Sequence, residues 1–206
     1  MNPSHYIVSA LIVASLSGRG PAVAQTETPD TSGSALALQQ SRAATRELLT
    51  SLRKTLEGRL ASGGPVHATA VCADTAQVLS GSIAEKSGVH IRRVSDRWRN
   101  PLDEPDMFER EVLRRFGEAL RETTLTDATE HGQVVVEKGA RVFRYMKPIR
   151  IQGMCMACHG EPDRMDAAVR EVLRSRYPDD RATGYAPGDL RGAVSARVPL
   201  PDPRNR

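Results

Sequence analysis

Aromatic residues, long apolar runs and long runs of one charge are all missing or scarce in this chain. Phenylalanine, tryptophan and tyrosine make up 4% of the 206 residues, so small aliphatic side chains, or a large group that the sequence does not encode, must fill the interior. Lysine and arginine are interleaved with acidic residues, and the formal net charge is only +4. We therefore expect no nucleic acid or other polyanion as a partner.

The size and overall composition indicate one compact domain with a modest extension. The chain has 206 residues, of which 39% are hydrophobic and 26% are charged, close to ordinary globular usage. This length leaves little room for a second full domain.

The N-terminal residues resemble an export signal. An apolar run at positions 6–17 is followed by Ala-Val-Ala at 22–24, the small-x-small pattern that signal peptidase recognises. We predict a signal peptide over 1–24, a polar linker over 25–34 and a periplasmic, soluble mature protein without a membrane span. No lysine or arginine precedes the apolar run, so a buried N-terminal helix is the alternative.

Hydrophobic periodicity predicts an α+β domain over residues 35–206 with a long N-terminal helix. Apolar residues recur at helical spacing in four segments, with Gly63-Gly64-Pro65 between the first two and Pro105 as the first residue of the third. These segments are 35–61, the residues after Pro65 up to Ile83, 105–120 and 164–176. The second segment places Cys72 on its apolar stripe.

Strand-like segments alternate with the later helices, which favours an antiparallel sheet flanked by helices. The predicted strands are 89–94, 133–137, 141–149 and 191–199. Lys138-Gly139 is a plausible tight turn that would join the middle two as a hairpin.

Residues 155–159 read Cys-Met-Ala-Cys-His, the attachment sequence of c-type haem. Two thiols three positions apart can each form a thioether with a vinyl group on one edge of the macrocycle, and the next residue can bring its imidazole to the iron. We predict one covalent haem c, held by Cys155 and Cys158, with His159 as an iron ligand. Attachment takes place outside the cytoplasm, so the leader and the motif support each other. A buried porphyrin would also explain the shortage of aromatic residues.

Three other uses of the two cysteines are weaker. A thioredoxin-like dithiol would follow a βαβ pattern, which the sequence lacks. A zinc site would need a second pair of ligands at a recognisable spacing. A disulfide across two intervening residues is strained and rare as a structural bond.

The sixth ligand of the iron is open on ligand chemistry alone. Of the 3 cysteines, Cys72 is the one that lies outside the attachment motif, so its thiol could bind the iron. It could equally be an inert core residue. The other candidates are Met107, Met146, Met154, Met156, Met165, His67, His90 and His131.

The motif and its surroundings resemble the single-haem c-type cytochrome domains of PAS-like fold from bacteria and cyanobacteria. These domains occur alone or as the extracytoplasmic sensor part of histidine kinases. The resemblance covers about residues 38–200. It rests on AVC at 70–72, RRVS at 92–95 with Arg97, NP at 100–101, RYMKPI at 144–149, CMACHG at 155–160, YPDD at 177–180, ATGY at 182–185 and GDLRGA at 188–193.

The resemblance implies a PAS-like fold and an iron held by His159 and Cys72. We further expect Arg93, Arg97, Tyr145 and Met146 to bind the cofactor. Arg92, Arg93 and Arg97 could pair with haem propionates or form a solvated face. Tyr145 and Lys147 have the same two interpretations.

These observations predict a low-potential electron carrier rather than an enzyme, because a thiolate ligand stabilises ferric iron and a six-coordinate metal hinders substrate binding. The partner would be a redox protein. The sequence does not decide between a monomer and a homodimer. The alternative is a module that senses redox state, NO or CO and signals through a partner protein. No kinase or methyl-acceptor segment occurs in these 206 residues, which favours the carrier.

Overall fold

The computed structural model describes residues 31–202, and all of their side chains except those at positions 31, 32 and 70–74. The predicted signal peptide therefore lies outside the described residues, as does most of the predicted linker. Between residues 31 and 202, no helix is long and apolar enough to cross a membrane.

Four helices and four strands form this part of the chain. The helices are α1 (Thr31–Ser87), α2 (Met107–Arg121), α3 (Met156–His159) and α4 (Ala167–Arg176). The strands are β1 (His90–Val94), β2 (His131–Glu137), β3 (Ala140–Arg150) and β4 (Leu190–Pro199). Short 3-10 turns occur at Pro101–Asp103, Gly153–Cys155 and Pro162–Arg164.

Helix α1 consists of two helical segments that meet at a kink, as the Gly63-Gly64-Pro65 sequence predicts. Gly64 has φ 67° and ψ −170°, a backbone conformation that glycine adopts at little cost. Pro65 follows it and lacks the amide hydrogen that a continuous helix would need there. Within the described residues, α1 includes positions from Thr31 onward, and so it extends at least four residues before the predicted boundary at residue 35.

The strands form one antiparallel sheet in the order β1-β4-β3-β2. Glu137 pairs with Ala140 at the end of the β2–β3 hairpin, and the two residues between them, Lys138 and Gly139, have φ values of 51° and 81°. Positive φ at both central residues is the conformation that suits a two-residue hairpin. The predicted hairpin and the α+β class are confirmed.

The two faces of the sheet pack against different helices. Because side chains alternate along a strand, Tyr145 lies in a core with Ala44 and Leu48 of α1. Its neighbour Met146 lies in a core with Val112 and Phe116 of α2. The sheet is therefore a central layer, with α1 on one face and α2 on the other.

Two predicted helix starts are wrong. Helix α2 begins at Met107, and Asp106, rather than Pro105, determines its start by accepting a hydrogen bond from the Glu109 amide. The Glu109 carboxylate in turn accepts a hydrogen bond from the Asp106 amide, which completes a capping box. Helix α4 begins at Ala167 instead of Arg164, since Asp166 caps its first turn.

Candidate functional site

The Cys-x-x-Cys-His motif forms a compact helical turn at the surface of a cavity. Cys155 ends a 3-10 turn, and α3 continues directly through Cys158 to His159. Residues three and four positions apart share one side of a helical turn, so this backbone keeps the three side chains on one side. Both cysteines are free thiols and partly buried.

His159 is held in one tautomer by the loop before β4. Its Nδ1 lies 2.6 Å from the carbonyl oxygen of Ala182. A carbonyl can only accept, so Nδ1 carries the proton and Nε2 keeps its lone pair. The Tyr185 ring packs edge-on against the imidazole, with the ring centroids 6.1 Å apart.

The electrostatic surroundings keep this imidazole neutral. Burial, and then the positive charges of Arg99 and Arg191, hold the pKa of His159 well below its usual range. A neutral imidazole with a free Nε2 is the form in which histidine binds metals. The site is therefore prepared for an electrophile on the Nε2 side.

Two adjoining lobes form what we call the motif cavity, and their volumes are about 190 and 480 Å³. The larger lobe alone falls within the range of roughly 300–1,000 Å³ that is typical of cofactor sites. Both lobes are lined by Leu52, Leu56, Arg93, Asp103, Met154, Cys155, His159 and Arg191. The cavity thus lies between α1, the motif and the ends of β1 and β4.

The walls of the motif cavity combine leucines with a surplus of cations. The apolar side comes from α1, mainly Leu52 and Leu56. The smaller lobe adds Arg99 and the larger lobe adds Arg53, Lys147, Arg150 and Asp127. Such walls suit a flat apolar body that carries carboxylates.

Arg99 and Arg191 also fasten the surrounding loops to the motif. Arg99 donates to the backbone oxygen of Cys158 at 2.5 Å and pairs with Asp180 at 2.9 Å. Arg191 donates to the Ser95 hydroxyl at 2.8 Å. Burial lowers the pKa of Arg191. Both arginines therefore contribute to the shape of the site as well as to its charge.

The predicted ligand Cys72 lies in α1, in the stretch whose side chains are outside the described part of the structure. Four neighbours lie one helical turn from position 72. They are Ala68 and Ala76, four positions away, and Thr69 and Thr75, three positions away. All four line the smaller lobe. Position 72 is therefore central to the helical stretch that borders the cavity.

The other predicted cofactor residues fall into two groups. Arg93 lines both lobes of the motif cavity, whereas Arg97, Tyr145 and Met146 are not among its described lining residues. Arg97 stacks on the Tyr185 ring at 4.0 Å and donates to the backbone of Thr183. Tyr145 donates to Glu130 at 2.9 Å.

Met146 is fully buried beneath α2, and the other methionine and histidine candidates also lie mostly away from the cavity. Met154 alone among them is part of its described lining. Met107 is 89% exposed, and Met165 is buried against α4. His67 and His90 are exposed.

Sequence reasoning missed three charged residues of the site, Arg99, Arg191 and Asp103. Arg191 was visible only as part of the GDLRGA match, and Arg99 and Asp103 lie beside the Asn100-Pro101 match. Their common environment depends on β1 pairing with β4, a contact between distant parts of the chain.

The described side chains give little support to the alternative uses of the motif. Among them, no three His, Cys, Asp or Glu residues form a group that could hold a metal ion. The motif follows a strand of an antiparallel sheet, whereas the thioredoxin-like arrangement would need a βαβ unit.

An antiparallel α+β domain, with a long kinked helix over a Cys-x-x-Cys-His cavity, is the class that fold and site define. A model of the Tll0287-like family matches residues 24–199, and the chain belongs to this family. The crystal structure of the cyanobacterial heme-protein Tll0287 is similar, with 26% sequence identity and a TM-score of 0.57. The match covers 84% of this chain and 96% of that chain. No curated protein matches.

Proposed function

We propose that this protein is an exported, single-haem c-type cytochrome of PAS-like fold that transfers electrons at low potential. The single observation that carries the proposal is the geometry of His159, which directs a neutral imidazole with an available Nε2 into a cavity beside two free thiols. The printed name of the similar cyanobacterial structure, a heme-protein, supports the same cofactor. The antiparallel sheet between helices supports the PAS-like fold.

The residues of the motif cavity fit a covalently attached haem. Cys155 and Cys158 would form the two thioethers, and His159 would hold the iron through Nε2. The leucines of α1 would cover the porphyrin face. Arg93 and Arg191 would attract its carboxylates.

Cys72 is our choice for the second residue that would hold the iron. It belongs to the stretch of α1 between the cavity-lining residues Thr69 and Thr75. The resemblance described above assigns this role to the same cysteine. With both axial positions held by protein side chains, we propose electron transfer and no enzymatic activity.

When bound, the haem supplies a one-electron couple, and the residues around it set its potential. An anionic Cys72 thiolate stabilises the more positive oxidation state and so lowers the potential. Arginines near the site act in the opposite sense. Because thioether attachment takes place outside the cytoplasm, we propose the periplasm as the compartment and a redox protein as the partner.

Sensing of redox state or of NO or CO is a second candidate, and the kink of α1 favours it. Leu60 and Ala68 both line the smaller lobe, and they lie on opposite sides of Gly64. Loss of the bond between Cys72 and the iron could therefore change the angle between the two helical segments. A signalling partner or a second copy of the chain would detect that change of angle. Binding of CO or NO to the reduced protein with displacement of Cys72 would favour sensing over simple transfer.

The experiment that tests the proposal is expression of the full chain in a host that matures c-type cytochromes. We expect a pyridine haemochrome spectrum typical of two thioethers, and haem that stays with the chain in a denaturing gel. A variant with Cys155→Ser and Cys158→Ser should lose the gel signal. Met165→Leu, a change in the core beneath α4, is the matched control and should keep it. Wild-type protein without covalent haem would refute the proposal.

A further inference from the structure

Two carboxylates are almost completely buried in the described part of the molecule, and their surroundings differ sharply. Glu109 is 1% exposed and Asp103 is 5% exposed. Glu109 lies on the α2 face of the sheet, away from the motif cavity. Asp103 lies at the end of a 3-10 turn and lines both lobes of the cavity.

Glu109 has all of its hydrogen-bonding capacity in use. It accepts from the Asp106 amide at 2.8 Å and from two nitrogens of Arg92, and Arg144 lies 3.3 Å away. Both oxygens of this carboxylate are therefore held by donors of the protein.

Asp103 has one long contact for each oxygen. Gln77 of α1 donates to Oδ1 at 3.3 Å, and Arg93 of β1 donates to Oδ2 at 3.4 Å. Both distances exceed the usual range for hydrogen bonds of this kind. Arg92 of β1 and Arg191 of β4 are the other charged groups that face it, and they act at longer range. Burial raises the pKa of Asp103, while Arg93, Arg191 and Arg92 oppose that effect.

We propose that Asp103 is a redox-linked proton acceptor, which binds a proton from solvent when the site takes up one electron. This inference rests on the proposed function, since the electron comes from the redox partner or from a mediator that replaces it. One electron enters the buried site and one proton joins the Asp103 carboxylate, so the charge of the cavity is unchanged by reduction.

The location of Asp103 explains why it would respond while Glu109 would not. A new negative charge in the cavity interacts more strongly with the buried Asp103 carboxylate on its wall than it would with a carboxylate in water. The weak contacts of Asp103 leave room for a proton on either oxygen. Glu109 is not among the described lining residues of the motif cavity, and it lies on the other face of the sheet.

The test is the midpoint potential of the haem-loaded protein measured between acid and alkaline pH. We expect a region in which the potential falls with rising pH at a slope that approaches 59 mV per tenfold change in proton concentration, the value for one proton per electron. Asp103→Asn should remove this region. Asp163→Asn is the matched control, because Asp163 is exposed and lies outside the described lining of the motif cavity, and it should leave the profile unchanged.

A second variant keeps the inference testable if Asp103→Asn does not fold. Gln77→Leu removes a donor that favours the ionised carboxylate, so it should move the sloping region to higher pH. A reduced-minus-oxidised infrared spectrum of the wild type should also contain the carbonyl band of a protonated carboxyl group. Equal pH profiles for the wild type and Asp103→Asn, or for the wild type and Gln77→Leu, would overturn the inference. If the wild-type protein shows no midpoint potential that belongs to a haem, the result would instead overturn the proposed function.

Discussion

The two faces of the sheet place charge in opposite ways. On the α2 face, Arg144 is 2% exposed and pairs with Asp106, Glu109 and Glu137. At the motif cavity, Arg93 and Arg191 share one buried carboxylate, Asp103. Arg92 and Arg197 also pair with Glu109 and Glu137, so three cations face three carboxylates in the first region, whereas the second has spare positive charge.

This difference indicates which region is built for stability and which for a ligand. Buried ions are tolerated where protein groups neutralise them. The motif cavity has more cationic side chains than carboxylates in its described lining. A bound anionic group would neutralise the remaining positive charge. The haem carboxylates that we propose for the motif cavity would do so.

The largest expected effect comes from the ligand position on α1. Cys72→Met should raise the midpoint potential by a few tenths of a volt, within the roughly 0.8 V that axial ligands span, because the anionic thiolate is replaced by a neutral thioether. A spectroelectrochemical titration measures the shift. Met146→Leu, on the α2 face, should leave the potential and the absorption spectrum unchanged. If the Met146 variant shifts and the Cys72 variant does not, the assignment of the ligand to α1 is wrong.

The next effect is on stability and belongs to the α2 face. Glu109→Gln should lower the free energy of unfolding by about 3 kcal/mol, because it leaves a buried cation network short of one charge. Urea denaturation of the full chain measures this loss. Glu118→Gln on the same helix removes only an exposed partner of Arg114, and it should cost less than about 1 kcal/mol. Equal losses for the two variants would contradict the contrast between a buried and an exposed pair.

A smaller effect distinguishes two glycines of helix α1, Gly58 within the first helical segment and Gly64 at the kink. Gly64→Ala should destabilise the protein by about 1–2 kcal/mol, because alanine is strained at positive φ even where the side chain has room. Gly58→Ala should instead stabilise it by up to about 1 kcal/mol, since that exposed glycine lies within regular helix. Thermal unfolding of both variants provides the comparison. A stabilising Gly64→Ala would mean that α1 is straight.

The smallest effect is on the pH dependence of stability. Burial acts to raise the pKa of Asp106, but hydrogen bonds from the Glu109 amide and Arg144 outweigh it, so the pKa lies below its ordinary value. Asp106 therefore stabilises the folded protein at pH values above the pKa it has in the unfolded chain. This stabilisation is lost as the pH falls through the lower pKa that Asp106 has in the folded protein. The pKa of Asp103 is raised in the folded protein. Its contribution to folding stability therefore becomes more favourable as the pH falls through this raised pKa towards the pKa of the unfolded chain.

Urea denaturation between neutral and acid pH measures these slopes. Asp106→Asn should make the acid loss of stability shallower, and Asp103→Asn should make it steeper. The same direction of change in both variants would contradict the contrast between the two regions.

Local signals were enough to predict most of the fold. The kink followed from Gly63-Gly64-Pro65, and the hairpin followed from Lys138-Gly139 between two strand-like segments. Pro105 predicts a start two residues too early for α2, because the D-x-x-E pattern of Asp106 and Glu109 determines where this helix begins. That pattern was readable in the sequence.

Short sequence patterns predicted the part of the site whose residues are adjacent in sequence, and the family resemblance added Arg93, which lines both lobes. Cys155, Cys158 and His159 belong to one motif, and the structure brings them together at one cavity. Arg99, Asp103 and Arg191 join them through strand pairing and loop packing, which no short pattern reports. Arg97 shows the converse, since it lies near these residues in sequence but stacks on Tyr185 outside the described lining.

The most direct test of the central claim is the intact mass of the full chain, purified under denaturing conditions from a host that attaches c-type haem. We predict the mass of the chain processed after Ala24 plus one haem, and loss of that addition when Cys155 and Cys158 are both replaced by serine. A wild-type mass equal to that of the polypeptide alone would contradict it.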